Sequence, residues 1–297
     1  MVDLSGVFIP VTSPFKDTGE LDLDAFRGNM TVWLSHPIKG LVVGGSTGEA
    51  VLLDDTERVQ LLETAREALG DRLLIAGTGA ESQRTTLRLT ESAARAGADA
   101  VLVQPPAFYK GAMTPKATGD HYRAVADASP VPVVVYQVPL KMSTLDMPND
   151  LIVELSEHPN IVGIKDSRGK LDLIEDLVER CTPGFQVLVG NGALLLPALQ
   201  AGATGGILGV ANLMPGPCAA VDRAWKAGRP EEARSVQGRV APVHISVIGG
   251  MGVPGVKAGL DLLGMRGGAP RPPLRPLPPP VLDEVEAVLR SAGLDLR

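Results

Sequence analysis

Short apolar segments alternate with amphipathic segments through most of this chain, and this alternation limits the folds that the sequence can adopt. The apolar segments contain few polar residues, as is typical of strands that are buried on both faces. They predict eight strands, at residues 7–10, 40–43, 73–76, 100–103, 131–136, 161–165, 186–189 and 205–208. Helical patterns follow the strands in turn, at residues 23–34, 55–69, 83–96, 115–128, 149–157, 171–180, 193–200 and 217–226. The repeated strand–helix order predicts a parallel α/β protein.

Eight consecutive strand–helix units favour a closed (β/α)8 TIM barrel over an open sheet. An open doubly wound sheet usually has a Gly-x-Gly-x-x-Gly turn after its first strand, whereas here the first strand runs into Pro10 and Pro14. We therefore predict a barrel that carries the active site at residues 1–227. Further helical patterns at 230–240, 253–263 and 281–291 predict a C-terminal helical domain at residues 228–297.

Seven prolines lie between residues 269 and 280. Such a tract is typical either of a polyproline ligand or of a stiff connector. We favour the connector, because an amphipathic helix that needs an anchor follows the tract.

Charge and composition argue against several functional classes. The chain has 28 basic and 34 acidic side chains, a net charge of −6, which argues against binding to nucleic acid and to anionic lipid. Cys181 and Cys218 are too few and too far apart for a disulfide scaffold or a cysteine zinc site. The four histidines lack metal-ligand spacing, so we expect no metal site.

Residues 181–221 contain no charged side chain, which raises the question of a membrane helix. Their many glycines and prolines instead favour two buried strands with a helix between them. No basic residues precede the first apolar run, so we see no signal peptide. We expect a cytoplasmic enzyme.

The active site of a parallel barrel forms at the carboxyl ends of its strands, so the residues that follow each strand are the candidates. Gly45, Ser46 and Thr47 follow the second strand. Exposed amides and two hydroxyl groups in a tight loop suit a carboxylate or a phosphate. Most glycine-rich turns after a strand are only turns, so this loop gains weight only with a second feature.

Lys165 ends the sixth strand, which is otherwise apolar, and Tyr136 ends the fifth. Because strand side chains alternate, Lys165 is predicted to share a face with Ile161 and Gly163, and the glycine leaves room beside the lysine stem. Burial disfavours the charged form of a lysine, and a neutral lysine attacks carbonyl carbon to form a Schiff base. A tyrosine on the adjacent strand is suited to relay a proton. The alternatives are a lysine that extends to solvent and a tyrosine that only packs at the barrel rim.

Together these residues resemble the dihydrodipicolinate synthase / N-acetylneuraminate lyase family. The resemblance covers nearly the whole chain and rests on Gly45-Ser-Thr-Gly-Glu49, Ala76-Gly-Thr-Gly79, Tyr136-Gln-Val-Pro139 and Gly163-Ile-Lys-Asp-Ser167. It implies a (β/α)8 barrel with a C-terminal helical domain, usually assembled as a homotetramer. It also implies pyruvate chemistry through a lysine Schiff base, with no metal and no organic cofactor.

The resemblance implies a role for several residues. Lys165 matches the Schiff-base lysine, and Tyr136 matches the tyrosine that shuttles protons to the substrate. Ser46 and Thr47 match the hydroxyl pair that holds the pyruvate carboxylate and joins the proton relay. The remaining residues assigned to pyruvate binding are Gly45 and Ile207.

Two positions depart from the synthases of this family. The synthases have a second relay tyrosine after the fourth strand, which reaches across the dimer interface. Here that position is Phe108, so the relay would need Tyr109, one residue on. The synthases also have an arginine, shortly after the fifth-strand tyrosine, that grips the carboxylate of the aldehyde substrate. In residues 140–144 of this chain Lys141 is nearest, and a lysine is a point charge rather than a bidentate fork.

Other stretches resemble 4-hydroxy-2-oxoglutarate aldolases, namely Phe108-Tyr-Lys-Gly-Ala-Met113, His158-Pro-Asn-Ile-Val-Gly163 and Gly252-Val-Pro-Gly-Val-Lys257. We therefore predict a lyase, a class I aldolase that forms or uses pyruvate with an aldehyde partner. The alternatives are a 4-hydroxy-tetrahydrodipicolinate synthase, a 2-keto-3-deoxy sugar-acid aldolase or dehydratase, and a sensor that only binds 2-oxo acids. We expect a homotetramer or homodimer with small-molecule substrates and no nucleic-acid or membrane partner.

Overall fold

The computed structural model describes residues 2–143 and 145–297, and within them eight strands form one closed parallel barrel. Each strand pairs with the next along the chain, and the eighth pairs with the first. The strands are β1 (Gly6–Pro10), β2 (Gly40–Val43), β3 (Leu73–Gly77), β4 (Ala100–Val103), β5 (Val133–Gln137), β6 (Ile161–Asp166), β7 (Gln186–Val189) and β8 (Gly205–Ile207). The predicted TIM barrel is therefore confirmed.

Eight helices connect or follow these strands, and the first four begin at residues whose side chains cap them. Asp54 caps the second helix, because its carboxylate accepts the N–H of Glu57 at 2.9 Å. Thr114 caps the fourth helix, which begins with Pro115 at a position that needs no amide donor. The helices are α1 (Leu23–Leu34), α2 (Asp55–Leu69), α3 (Gln83–Arg95), α4 (Pro115–Ala128), α5 (Asn149–Leu155), α6 (Leu171–Arg180), α7 (Leu195–Gln200) and α8 (Pro215–Lys226).

The uncharged residues 181–221 form β7, α7, β8 and the first turns of α8, as predicted. Alternate strand residues divide between the barrel interior and the layer between strands and helices. The interior cluster includes Leu4, Phe8, Val42, Ile75, Ala100, Leu102, Val134, Val162, Leu188 and Ile207. Their strand neighbours pack outward, in one large cluster with the helices.

A β-bulge interrupts the pairing of β5 with β6. Val133 pairs with Ile161 and Val134 with Gly163, which leaves Val162 as an extra residue. Val162 packs in the interior and Ile161 in the outer layer. The predicted shared face of Lys165 and Ile161 is therefore wrong, because an inserted residue reverses the alternation.

Gly163 is required for a reason other than space beside the lysine stem. A Cβ atom there would lie 2.4 Å from the backbone oxygen of Gln186. The glycine thus permits the close approach of β6 and β7.

The C-terminal region contains α9 (Pro230–Val243), a π-helical segment (His244–Met251), α10 (Gly252–Leu262) and α11 (Pro279–Ser291). The first three run on as a single helical segment, where the sequence predicted two separate helices. By length and composition this segment could cross a membrane, but half of its most apolar stretch is buried against the protein. Its buried side chains join the outer cluster of the barrel, and the domain boundary at residues 227 and 228 stays a prediction.

The proline-rich tract runs from α10 to α11 and is fixed to the barrel by Arg271. The guanidinium group donates to the carbonyl oxygens of Gly19 at 2.5 Å and Leu52 at 2.7 Å. It also pairs with Glu57 at 2.6 Å. These bonds hold the tract against the barrel, and its role as a stiff connector stays a prediction.

Candidate active site

A cavity of about 370 Å³ lies at the carboxyl ends of the strands. It brings together six of the residues that the sequence placed in the site, which come from five different loops or strand ends. These are Ser46, Thr47, Tyr136, Lys141, Lys165 and Ile207. Gathering residues from several strand ends at one face is typical of TIM-barrel active sites.

Lys165 and Tyr136 lie side by side in the cavity, because they are register partners on β6 and β5. Both are nearly buried, at 5% and 4% exposure. The lysine Nζ lies 4.2 Å from the centroid of the tyrosine ring. An amine and a phenol at this separation can act on neighbouring atoms of one small substrate.

Ser46 and Thr47 lie on a short 3-10 turn, Ser46–Gly48, that follows β2. The Oγ atom of Ser46 lies 3.3 Å from the hydroxyl oxygen of Tyr136, within hydrogen-bond distance. The turn is fixed to the segment that follows β1, because the Ser13 hydroxyl donates to the Gly48 carbonyl oxygen at 2.8 Å. Gly45 does not line the cavity, but its carbonyl oxygen accepts the N–H groups of Gly48 and Ala50 at 3.0 and 3.3 Å.

The loop after β5 forms part of the cavity rim, and Gln137 holds it. The amide nitrogen of its side chain donates to the Leu145 carbonyl oxygen at 3.1 Å, and its oxygen accepts the Met147 N–H at 2.9 Å. Lys141 is exposed on this loop, and its Nζ donates to the carbonyl oxygen of Gly249 in the π-helical segment. Thr144, in the same loop, lies outside the described residues.

Several cavity residues were not predicted, and three of them follow strands. Ser167 and Arg168 come after β6, and Asn191 comes after β7. The Arg168 side chain is tied to the fully buried Asp166, which accepts its Nε at 2.9 Å. Its Nη2 donates to Asn149 at 2.6 Å. The rule that site residues follow barrel strands would have found all three.

His244 reaches the cavity from the π-helical segment. Burial, together with the positive charge of Lys141, lowers the pKa of His244 to about 4. Its Nδ1 accepts the Gly192 N–H at 3.1 Å. A histidine that enters from beyond the eighth strand–helix unit had no signal in the sequence pattern.

Phe108 and Tyr109 do not reach Lys165 within one chain. Both are highly exposed, at 79% and 73%, and their rings pack edge to face with centroids 5.1 Å apart. Phe108 instead lines a neighbouring groove of about 810 Å³, together with Val51 and Met142. A role in the site would therefore need a second copy of the chain.

The described cavity offers an amine nucleophile, a phenol–hydroxyl pair and a turn that carries a threonine hydroxyl. This set can form an imine, move a proton and hold a carboxylate. In residues 2–143 and 145–297, no three His, Cys, Asp or Glu side chains are grouped so that they could hold a metal ion.

Comparison with known proteins gives consistent matches along the chain. The model of the dihydrodipicolinate synthetase family matches residues 3–292. A protein of Emericella nidulans, described as a probable mitochondrial 4-hydroxy-2-oxoglutarate aldolase, is 38% identical over 288 residues, which cover 95% of this chain and 92% of that protein. A 4-hydroxy-tetrahydrodipicolinate synthase of Methanothrix thermoacetophila is 36% identical over 287 residues, 96% of this chain and 95% of that one.

Solved structures agree with these matches. The crystal structure of dihydrodipicolinate synthase from Thermotoga maritima superposes with a TM-score of 0.94 at 27% identity. The superposition covers 99% of this chain and 100% of that chain.

Proposed function

Because this chain belongs to the dihydrodipicolinate synthetase family and is a lyase of its aldolase type, we propose that it cleaves and forms a carbon–carbon bond of a 2-oxo acid through a Schiff base on Lys165. The part of the substrate that forms the imine is released as pyruvate, and the other part is released as an aldehyde. The observation that carries the proposal is the buried Lys165 amine beside Tyr136, whose hydroxyl lies 3.3 Å from Ser46.

In the cleavage direction, the lone pair of the Lys165 amine attacks the C2 ketone, and loss of water gives an iminium. The iminium accepts the electron pair of the C3–C4 bond as that bond breaks. Tyr136, with Ser46, takes the proton from the C4 hydroxyl, so that the aldehyde leaves and an enamine of pyruvate remains. A proton then adds to C3, and water releases pyruvate and the free amine.

In this proposal the Ser46–Gly48 turn binds the substrate carboxylate. The Thr47 hydroxyl and the amides of the turn supply donors next to the reacting ketone. A carboxylate held there fixes the ketone carbon against the lysine, which lowers the entropic part of the barrier.

We propose 4-hydroxy-2-oxoglutarate, a dicarboxylic acid, as the substrate. The exposed ammonium of Lys141 at the cavity rim supports this choice, because it can pair with the second carboxylate. The relative from Emericella nidulans carries the same activity in its name.

The second candidate is the condensation catalysed by 4-hydroxy-tetrahydrodipicolinate synthases, since several relatives bear that name. Against it stand Phe108, which cannot relay a proton, and Lys141 in place of an arginine. A sugar-acid dehydratase would use the same imine but release no aldehyde.

Borohydride trapping tests the Schiff base directly. In the presence of pyruvate, reduction should add the mass of one reduced pyruvate to each chain, and peptide mapping should place it on Lys165. Lys165→Ala should lose both the adduct and the activity, whereas the matched control Lys170→Ala should keep both. Trapping on another lysine, or on none, would contradict the mechanism.

A substrate panel separates the candidate reactions. Pyruvate and an aldehyde released from 4-hydroxy-2-oxoglutarate would support the aldolase. Faster formation of 4-hydroxy-tetrahydrodipicolinate from pyruvate would support the synthase. A dehydrated product without an aldehyde would support the dehydratase, and binding without turnover would leave a sensor.

We also propose a homo-oligomer, a dimer or a tetramer, in which the exposed Phe108 and Tyr109 contact a second copy. Large exposed apolar side chains are typical of such contacts. Sedimentation at micromolar concentration should show a multiple of the chain mass, and a single-chain species would contradict the proposal. The cytoplasmic location stays a prediction.

A further inference from the structure

A buried ion pair joins the Ser46–Gly48 turn to the C-terminal helices. Glu49 directly follows this turn, and its Oε1 lies 2.6 Å from Nζ of Lys257 on α10. The two side chains are 0% and 1% exposed. The turn after β2 is thus linked to a residue more than two hundred positions away in the sequence.

The other groups around this pair also come from distant parts of the chain. The backbone N–H of Arg271 donates to Oε2 of Glu49 at 2.7 Å. Lys257 donates to the carbonyl oxygen of Ala269 at 3.1 Å, and its Nζ lies 4.4 Å from the centroid of the Phe15 ring. Both carboxylate oxygens of Glu49 are therefore held by residues 257–271.

The backbone of Glu49 is in a conformation that needs such support. Among the described residues, Glu49 is the single non-glycine with a positive φ, at 57°. Its N–H donates to the Ser46 carbonyl oxygen at 3.2 Å, and its own carbonyl oxygen accepts the Leu52 N–H at 2.8 Å. A side-chain-bearing residue keeps this left-handed conformation only where its surroundings fix it.

Stability alone does not explain a buried ion pair. The desolvation of both charges offsets much of their attraction, and apolar side chains of similar volume are often as stable. The pair instead fixes the orientation of the Glu49 carboxylate, because this group must face both the Lys257 ammonium and the Arg271 N–H. A fixed Glu49 also fixes the backbone of the Ser46–Gly48 turn that directly precedes it.

We infer that Glu49 and Lys257 are positioning residues that hold Ser46 and Thr47 against Tyr136 and the substrate carboxylate. This inference rests on the proposed function. Neither side chain lines the cavity that contains Lys165, so both act through the turn. The C-terminal helical region thereby takes part in the geometry of the site.

The test begins with Lys257→Met, which keeps the length of the side chain and removes its charge. We expect kcat for aldol cleavage to fall about ten- to a hundredfold, because a small displacement of the turn misplaces Ser46 relative to Tyr136 and the substrate. At saturating pyruvate, trapping on Lys165 by borohydride should still reach one adduct per chain, because the lysine lies on β6 and not on the turn. The thermal midpoint should also fall, since Glu49 is left buried and unpaired.

The double variant Glu49→Gln/Lys257→Met separates positioning from stability. Without a buried unpaired charge, its thermal midpoint should recover towards that of the wild type, whereas kcat should stay low. Leu289→Ala is the matched control, because Leu289 is buried in α11 and its loss should lower the midpoint while kcat stays near the wild-type value.

Three outcomes would overturn the positioning role. The double variant could recover kcat together with its thermal midpoint, or Leu289→Ala could lose as much kcat as Lys257→Met. The third outcome is a wild-type kcat in Lys257→Met. Trapping in the wild-type protein tests the proposed function separately. Its failure would remove the Schiff base, whereas normal trapping with one of these kinetic outcomes would remove only the inference about Glu49 and Lys257.

Discussion

In the barrel interior, Phe8, Ile75 and Leu188 are completely buried in a cluster of apolar side chains. At the carboxyl ends of β5 and β6 in the same barrel, Tyr136 and Lys165 are almost as deeply buried, at 4% and 5% exposure, but they carry polar groups that face a cavity. The two regions are therefore buried to a similar degree. The interior buries apolar side chains, whereas the cavity buries polar groups. Apolar burial stabilises the fold, whereas a buried amine costs free energy unless it is paired.

This difference predicts that the two regions respond differently to substitution. Truncation in the interior should lower stability and leave the chemistry of the remaining folded molecules intact. Truncation at the cavity should abolish chemistry at little cost in stability, because functional sites are commonly less stable than they could be. The following substitutions test that separation, from the largest expected effect to the smallest.

Tyr136→Phe should have the largest effect and should act on turnover. In the proposed mechanism, removing the hydroxyl removes the proton relay with Ser46, and proton transfer by a positioned group contributes about 10²–10⁴ in rate. We expect kcat to fall by that factor while pyruvate is still trapped on Lys165 by borohydride. Steady-state rates and mass spectrometry measure the two effects.

Tyr122→Phe is the matched control for this change. Tyr122 is fully buried on α4, outside the cavity, and its hydroxyl donates to the Val103 carbonyl oxygen at 2.9 Å. Its loss should lower the free energy of unfolding by about 1 kcal/mol and leave kcat near the wild-type value. An equal loss of turnover in both tyrosine variants would contradict the proposed difference between the cavity and the rest of the protein.

Phe8→Ala should act in the opposite way. Removing a large side chain from the closed interior leaves a cavity, which costs about 3–5 kcal/mol of unfolding free energy. Denaturant titration measures this loss. Borohydride trapping per folded molecule should stay unchanged at low denaturant, and a stable variant with impaired trapping would show that interior packing also tunes the site.

Lys141→Ala tests whether the rim of the cavity discriminates between substrates. If Lys141 pairs with a second carboxylate, the loss of about 1.5–3 kcal/mol should raise KM for a dicarboxylic substrate roughly ten- to a hundredfold. KM for a neutral sugar acid should change far less. Lys110→Ala, on an exposed loop that does not line the cavity, is the control, and equal changes for both substrates would remove Lys141 from the site.

The sequence predicted the parts of this molecule that depend on local order. Strand patterns and the strand-end rule led to Lys165 and Tyr136, because a strand's register fixes where its last residue lies. The same rule pointed to Ser46 and Thr47, and motif resemblance added the role of their loop in binding the carboxylate. Each of these residues lies next to the strand that positions it.

Other features depend on contacts between distant segments and had no local signal. The bulge at Val162 arises from the pairing of two strands, and neither strand shows it alone. The pair of Glu49 with Lys257 joins residues whose proximity follows only from the packing of α10 on the barrel. His244 enters the cavity because the helix after Pro230 continues as a π-helical segment, where the sequence predicted an interruption.

His244 offers the last and smallest test, because it is a titratable group buried on the cavity side. An unfolded histidine has a pKa of about 6.5, whereas burial and Lys141 lower the pKa of His244 to about 4. Above pH 6.5 both states are neutral, and this residue adds no pH dependence. Between pH 6.5 and pH 4 the unfolded chain takes up a proton that the folded chain does not bind, so stability falls as the pH falls.

His244→Asn should remove this dependence while an acceptor remains for the Gly192 N–H, which now donates to the imidazole at 3.1 Å. At about 1.4 kcal/mol per pH unit, the wild type should lose about 2 kcal/mol from this residue between pH 6.5 and pH 5. The measurement is the free energy of unfolding of both proteins at pH 7 and pH 5. Relative to the wild type, the free energy of unfolding of His244→Asn should be higher at pH 5 than at pH 7 by that amount. If the difference in unfolding free energy between the two proteins is the same at both pH values, the folded protein protonates His244 as readily as the unfolded chain does. The imidazole would then be as well solvated as one on the open surface.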